Sequence, residues 1–98
     1  MTVFEWSDSK DRSNRSKHAV SFELARRVFD DPNALMVQDR VERGEERWQA
    51  IGRAGPHAVL VVAHVVRQEW PYEVVRIVSA RRALPYERQR YESEAFQE

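Results

Sequence analysis

The fold is decided by residues 58–66, whose sequence is AVLVVAHVV. Apolar side chains occupy odd and even positions alike, which is typical of a strand buried on both faces in the middle of a sheet. Gly55-Pro56 comes just before this run and predicts a turn, so residues 45–54 and 57–67 are predicted to form a β-hairpin. The run is about half as long as a helix that crosses a bilayer, and we expect no contact with a membrane.

Further strands of the same sheet are predicted on both sides of this hairpin. Residues 34–38 form a short strand that is joined to the hairpin by a charged turn at residues 39–44. Residues 74–80 form the next strand, after a connection at residues 68–73. At the start of the chain, the alternation of side chains in residues 3–6 predicts one more short strand.

Three helices are predicted from the residues that can begin or end them. Ser7 or Asp8 can cap a helix in the polar segment that follows, although this segment has no apolar side chain. Ser21 can cap the second helix, which ends before Pro32, and Pro85 suits the first position of the last helix. The predicted fold class is α+β: two N-terminal helices pack on a mostly antiparallel four-stranded sheet, with a short N-terminal strand and a C-terminal helix.

The composition restricts the kind of protein. A chain of 98 residues has room for one hydrophobic core, so residues 1–98 are expected to form a single domain. The chain has no cysteine, which excludes a disulfide framework and a thiolate metal site and fits a cytoplasmic location. No histidines or acids have the spacing of metal ligands, and there is no glycine-rich phosphate loop, so neither a metal nor a cofactor is expected.

The net charge of zero conceals two basic segments. Residues 10–27 hold six lysines or arginines against two acids, and residues 76–90 hold five arginines against one acid. Residues 30–46, between them, hold six acids against two arginines. Because charge distribution matters more than the sum, we expect the two basic segments to form a surface that binds a polyanion such as nucleic acid.

Arg76 is the first candidate for phosphate chemistry. It lies inside an apolar strand, on the same face as Val78 and Ala80. A buried arginine needs a partner, which here is either Glu46 in a salt bridge or a bound phosphate.

Four more arginines follow Arg76. Arg81 and Arg82 end the strand, and Arg88 and Arg90 lie on a last helix that must fold back over the sheet. These four side chains could converge on one site. The alternative is a solvated end of a strand.

Candidates for proton transfer and for ligand contact come from the histidines and from the first helix. His64 ends the valine run, where a hydrogen-bonded core residue is the alternative to a catalytic one. On the first helix Lys10, Asn14, Lys17 and His18 would share one face. A histidine is the usual proton carrier near neutral pH. For the lysines, the alternative is an ordinary solvated charge.

Several ordered motifs run along nearly the whole chain: FEW at 4–6, Lys10, Asn14, KHAVSFE at 17–23, Ala25, VFDDP at 28–32, GEERW at 44–48, IG at 51–52, RIVSARRA at 76–83, ER at 87–88 and Tyr91. Together they resemble the BrnT family of toxins from bacterial type II toxin–antitoxin systems. The number of motifs and their separations make this resemblance specific, which no single motif would be.

The resemblance implies a RelE-like fold and a ribonuclease that inhibits translation by cutting RNA. It also implies a BrnA-type antitoxin, which is a ribbon-helix-helix DNA-binding protein, and binding of promoter DNA only through that antitoxin. Ala19 stands where the family often has glycine, so we expect the turn before the second helix to form without a positive φ.

The resemblance and the charges lead to a hypothesis for the site. The RNA 2′-OH attacks the adjacent phosphorus without a metal, and arginines stabilise the charge on the phosphoryl oxygens. We assign Arg76 and Arg81 to this role, assisted by Arg82. Proton transfer is open between four side chains, which are His18, His64, Lys10 and Glu46. RNA contacts are assigned to Lys10, Asn14, Lys17 and Arg88. The alternatives are a non-catalytic module that binds nucleic acid or a protein partner, and a metal-dependent nuclease.

Overall fold

The computed structural model describes residues 1–56 and 58–95, and its centre is one five-stranded sheet. The strands lie in the order β1-β5-β4-β3-β2. Their bounds are Thr2–Glu5 for β1, Leu35–Glu42 for β2, Glu45–Arg53 for β3, Val59–Glu69 for β4 and Tyr72–Arg82 for β5. The apolar stretch forms the central strand β4, as predicted, whereas His57, which was predicted to begin that strand, lies outside the described residues.

The predicted four-stranded sheet with a separate N-terminal strand is corrected by the pairing of β1. This strand pairs with β5 in parallel, from Thr2 beside Glu73 to Glu5 beside Arg76, while all other neighbours are antiparallel. Two of the strands, β2 and β5, are also longer than predicted. β2 continues through most of the expected charged turn, which shrinks to Arg43-Gly44, two residues with positive φ of 53° and 77° that close a tight hairpin.

The helices lie on opposite sides of the sheet. Helix α1 spans Asp8–His18, and α2 spans Phe22–Ala25 and continues as a 3-10 helix at Arg26–Asp30. Helix α3 spans Pro85–Ala95. We call the side that packs against α2 and the 3-10 helix the α2 face, and the other side the α3 face. The order of strands and helices is as predicted.

The main core lies on the α2 face. Val20, Phe22, Ala25 and Val28 are at most 1% exposed and pack against inward-facing side chains of the central strands. Of these, Phe22, Ala25 and Val28 lie at intervals of three residues along the second helical segment and share one of its faces. This packing fixes the position of the chain that follows α1.

A smaller core and a hydrogen bond from Tyr91 attach α3 to the rest of the fold. Tyr91 is 2% exposed and packs against Ile51, Val59 and Val61 on the α3 face. Its hydroxyl donates a hydrogen bond of 2.5 Å to Asp31 Oδ2. Burial and this hydrogen bond raise the pKa of Tyr91 to about 12. The helix covers one end of the α3 face and leaves the other end open.

The turn after α1 does require a positive φ, contrary to the prediction. Ala19 ends the helix with φ 57° and ψ 30°, and its N–H donates to the Arg15 carbonyl over 3.0 Å. Val20, the next residue, is 1% exposed and Ser21 caps α2, so the chain must reverse at Ala19. A left-handed conformation places Cβ too close to the carbonyl oxygen, and here alanine accepts that strain.

We expect Ala19→Gly to raise the free energy of unfolding by about 0.5–1 kcal/mol, because glycine relieves the left-handed strain but adds freedom to the unfolded chain. Thermal melting with a two-state fit measures the change. Ser16→Gly, inside α1, is the matched control, and it should destabilise by about 0.5 kcal/mol because glycine is a poorer helix former than serine. A lower melting temperature for Ala19→Gly would contradict the strain argument.

Candidate functional site

A β-bulge in β5 interrupts the regular alternation of side chains. Ser79 pairs with Ala63 on β4, but His64, the next residue of β4, pairs with Ile77. Val78 is therefore an extra residue opposite a regular partner strand. Bulges of this kind bend the strand and change the direction in which the neighbouring side chains point.

The bulge places Arg76, Ser79 and Arg81 together on the α3 face. Ala80 instead lies in the core of the α2 face at 1% exposure, although it would share a face with Arg76 in a regular strand. The predicted grouping of Arg76 with Ala80 and Val78 is therefore wrong. Without the extra residue, Arg76 and Arg81 would lie on opposite sides of the sheet because their separation is odd.

Arg76 is half-buried and held by one carboxylate. Its Nη2 donates to both oxygens of Glu45, over 2.9 and 3.0 Å. The salt bridge that the sequence suggested with Glu46 is not formed, since Glu46 is one residue further along β3 and points to the opposite face. Among the described residues nothing bonds the other nitrogens of Arg76, so donors remain for a phosphate.

Arg81 is fixed by a second carboxylate, which belongs to α3. Its Nη1 and Nη2 donate to the two oxygens of Glu87 over 2.7 and 2.9 Å. Glu87, only 7% exposed, also accepts a hydrogen bond of 2.8 Å from the backbone N–H of Leu84, as in a capping box. The hydrogen bond from Arg81 keeps the pKa of Glu87 below its ordinary value. This pair joins the end of β5 to the start of α3, so Arg81 is not part of a solvated strand end.

Helix α1 brings the first basic segment beside the second. Lys10, Lys17 and His18 line a small groove of about 220 Å³ together with Val78 and Ser79 of β5. Ser79 lies between Arg76 and Arg81 on the α3 face. The three α1 side chains therefore flank the edge of that face.

Asn14 shares the face of α1 with these residues but is buried, at 5% exposure. Its Nδ2 donates to the carbonyls of Val20 and Ala80, both over 2.8 Å, and its Oδ1 accepts from the N–H of Ala80 over 3.0 Å. β1 ends beside Arg76, so beyond that residue β5 has no strand on its outer side. There the side-chain amide of Asn14 forms hydrogen bonds with the backbone of β5. This structural role corrects the assignment of Asn14 to RNA contact.

Arg47 belongs to the α3 face but was missed by the sequence reasoning. It pairs with Val65 from one side while Arg76 pairs with Val65 from the other, so the three side chains form a row across the sheet. Its buried Nε has no hydrogen-bond partner in the described part of the chain, although Glu42 Oε2 lies 3.3 Å away. The sequence did contain a signal for this position, since Arg47 is two residues from Glu45 in β3 and residues two apart in a strand share a face.

Two of the predicted proton carriers lie on the wrong side of the sheet. His64 is 3% exposed on the α2 face, where its ring packs edge-on against Phe29 and its Nδ1 donates to the Val62 carbonyl over 3.1 Å. Burial lowers the pKa of His64. Glu46 also points to the α2 face. Neither side chain can act together with Arg76, which corrects both assignments.

The remaining arginines differ in position. Arg82 pairs with Leu60 of the main core and so points to the α2 face, away from Arg81, which corrects its assignment as an assistant. Arg88 is exposed on α3 and pairs with Glu92 over 2.7 Å. Within residues 1–56 and 58–95, no three potential metal ligands come together. No described helix is both long and apolar enough to span a membrane.

The five-stranded sheet and its three helices, with arginines on one face, define a small α+β protein. The crystal structure of the Brucella abortus ribonuclease toxin BrnT, at 1.1 Å resolution, matches with a TM-score of 0.65 and 20% sequence identity, over 86% of this chain and 97% of that chain. At this identity the likeness establishes the fold. A search of curated proteins gives no match. The family model of the BrnT ribonuclease toxin of type II toxin–antitoxin systems matches residues 6–87, and the chain belongs to this family.

Proposed function

We propose that this BrnT-family toxin cleaves RNA on the open part of its α3 face, without a metal, by attack of the 2′-OH on the adjacent phosphorus. The observation that carries the proposal is the bulge at Val78, which puts Arg76 and Arg81 on one face of the same strand. Cleavage of messenger RNA would inhibit translation. A BrnA-type ribbon-helix-helix antitoxin would neutralise the toxin and link it to promoter DNA.

Arg76 has the geometry to stabilise the transition state. The attack gathers negative charge on the phosphoryl oxygens, and a guanidinium fixed in advance lowers the energy of that charge without reorganising. Glu45 holds one nitrogen of Arg76 and so fixes the direction of the side chain. Arg47, on the other side of Val65, adds a second positive charge to the same row.

Arg81 has both nitrogens of its fork bonded to Glu87. Its contribution is therefore a fixed positive charge beside the site and the attachment of α3, and Arg76 is the better phosphate ligand. This division follows from the hydrogen bonds, since an occupied fork cannot also grip a phosphate with both arms.

Proton transfer falls to the α1 side chains that flank the site. Of the four candidates, His18 and Lys10 line the groove with Ser79, whereas His64 and Glu46 lie behind the sheet. A neutral imidazole can accept the proton of the 2′-OH and return it to the leaving oxygen. We therefore propose His18 as the proton carrier, and Lys10 and Lys17 as phosphate contacts.

Incubation of the purified protein with RNA in the presence and absence of EDTA tests the reaction. We expect equal cleavage in both samples and products that end in a 2′,3′-cyclic phosphate, because an internal 2′-OH is the nucleophile. Loss of cleavage in EDTA would show a metal-dependent nuclease. Salt-sensitive binding of RNA that stays intact would show a binding module without catalysis.

A further inference from the structure

A groove on the α2 face plays no part in the proposed reaction. It has a volume of about 660 Å³ and opens between the 3-10 helix and the strands. Its wall contains a chain of rings in which Phe29 packs against Phe4, with centroids 5.2 Å apart, and against His64, with centroids 4.8 Å apart. Trp48 and the half-exposed Met36 complete the apolar lining. A concave apolar site of this size suits a ligand or the anchor residues of a partner.

The polar groups of the groove are mainly acceptors. Asp30 and Glu73 contribute carboxylates, and within the described residues neither forms an ion pair. Among the described residues that line the groove, the one cation is Arg26, which already lies over the ring of Phe4, 5.1 Å from its centroid. His64 donates its Nδ1 proton to Val62, so its Nε2 is left as an acceptor, and no described residue bonds it.

These groups select the charge of the occupant. Two carboxylates and an imidazole acceptor favour a group that donates hydrogen bonds and carries positive charge, and they repel phosphate. RNA is therefore a poor occupant, in contrast to the arginine row on the other side of the sheet. A peptide with a large apolar side chain next to a lysine or arginine fits both the lining and the charges.

We propose that the groove anchors a segment of the toxin's protein antitoxin in which a large apolar side chain adjoins a lysine or arginine. The identity of the partner as an antitoxin rests on the function proposed above. Because the groove and the arginine row lie on opposite faces, this anchor holds the antitoxin without itself covering the RNA site.

Met36→Arg and Val41→Arg form a matched pair for the test. Both residues are exposed, at 49% and 63%, and both lie on the α2 side of β2, but only Met36 lines the groove. In calorimetric titrations with the purified cognate antitoxin, we expect Met36→Arg to weaken binding at least about tenfold and Val41→Arg less than about twofold. Equal affinities of the two variants would overturn the proposal.

Two further measurements separate the other occupants. Met36→Arg should cleave RNA at the wild-type rate when no antitoxin is present, and a slower rate would mean that RNA occupies the groove. Sedimentation of the toxin alone should be unchanged by Met36→Arg, and the loss of a dimer would identify a second copy as the occupant.

The double variant Asp30→Asn with Glu73→Gln tests the charge argument. It should reduce the salt dependence of antitoxin binding, and an unchanged dependence would overturn that argument.

The cleavage assay of the wild-type toxin keeps this proposal separate from the proposed function. If the wild-type protein cleaves no RNA but Met36→Arg still binds the antitoxin more weakly than Val41→Arg, the proposed reaction is wrong and the proposed antitoxin groove is supported. If RNA is cleaved and the two variants bind the antitoxin with equal affinity, the proposed antitoxin groove is wrong and the proposed reaction is supported.

Discussion

Arg76→Ala should lower the rate of RNA cleavage by roughly 10²–10³, the cost of removing one group that stabilises a developing oxyanion. The side chain is half-buried on the α3 face, and only one of its nitrogens is held by Glu45. Its loss removes a guanidinium that Glu45 holds in place and whose other nitrogens can still donate to a phosphate. Single-turnover cleavage of a defined RNA measures the rate, and circular dichroism checks that the variant is folded.

Arg90→Ala is the matched control for this variant. Arg90 is exposed on α3, where it pairs with Glu94 over 3.4 Å, and its loss should change the rate less than about twofold, since exposed pairs contribute little. Arg76→Lys should recover part of the rate because it keeps the charge and loses the planar fork. If Arg76→Ala cleaves RNA as fast as Arg90→Ala does, then the assignment of Arg76 to phosphate stabilisation is wrong.

Asn14→Ala should destabilise the fold by about 3 kcal/mol, because it leaves three buried backbone groups without partners and each costs about 1 kcal/mol or more. These groups are the carbonyls of Val20 and Ala80 and the N–H of Ala80. Urea denaturation measures the change in the free energy of unfolding. The variant also loosens α1 from β5, so Lys10 and Lys17 lose their fixed positions beside the site.

Ser13→Ala is the control for Asn14→Ala. Ser13 precedes Asn14 on α1 but is exposed, so its loss should change the free energy of unfolding by less than about 0.5 kcal/mol. A variant Asn14→Ala that is as stable as Ser13→Ala would mean that solvent replaces the three hydrogen bonds. The structural role given to Asn14 would then be wrong.

The order of the helices and strands could be predicted because it depends on local patterns. The valine run identifies the central strand, Ser7 and Ser21 accept hydrogen bonds from backbone N–H groups in the first turns of their helices, and Pro85 begins α3 as expected. The family membership was also confirmed, since ordered motifs survive in the linear sequence. The pairing of β1 with β5 was missed because these two strands are about 70 residues apart in the sequence, and the four residues of β1 carry no local pattern that specifies a distant partner strand.

The site was predicted less completely, because it depends on which side chains share a face. The prediction brought Arg76 and Arg81 to one place, but it placed Arg76 on the face of Ala80 and added His64 and Glu46. One extra residue at Val78 reverses the alternation of the strand, and Arg47 enters the site from β3, which lies outside both basic segments. The assignments of His18, Lys10, Lys17 and Arg88 to the site stay predictions.

The sequence by itself determined the fold class, the order of the elements and the family, because side-chain periodicity, helix caps and motifs act over a few neighbouring residues. Only the tertiary structure decided the division of the sheet into an arginine-bearing face and an apolar groove. A bulge forms when two strands pair, so its effect on Arg76 exists only in the folded sheet. For the same reason, the sequence pattern suggested that Asn14 contacts RNA, whereas in the folded protein its side chain hydrogen-bonds the backbone of β5 at Ala80.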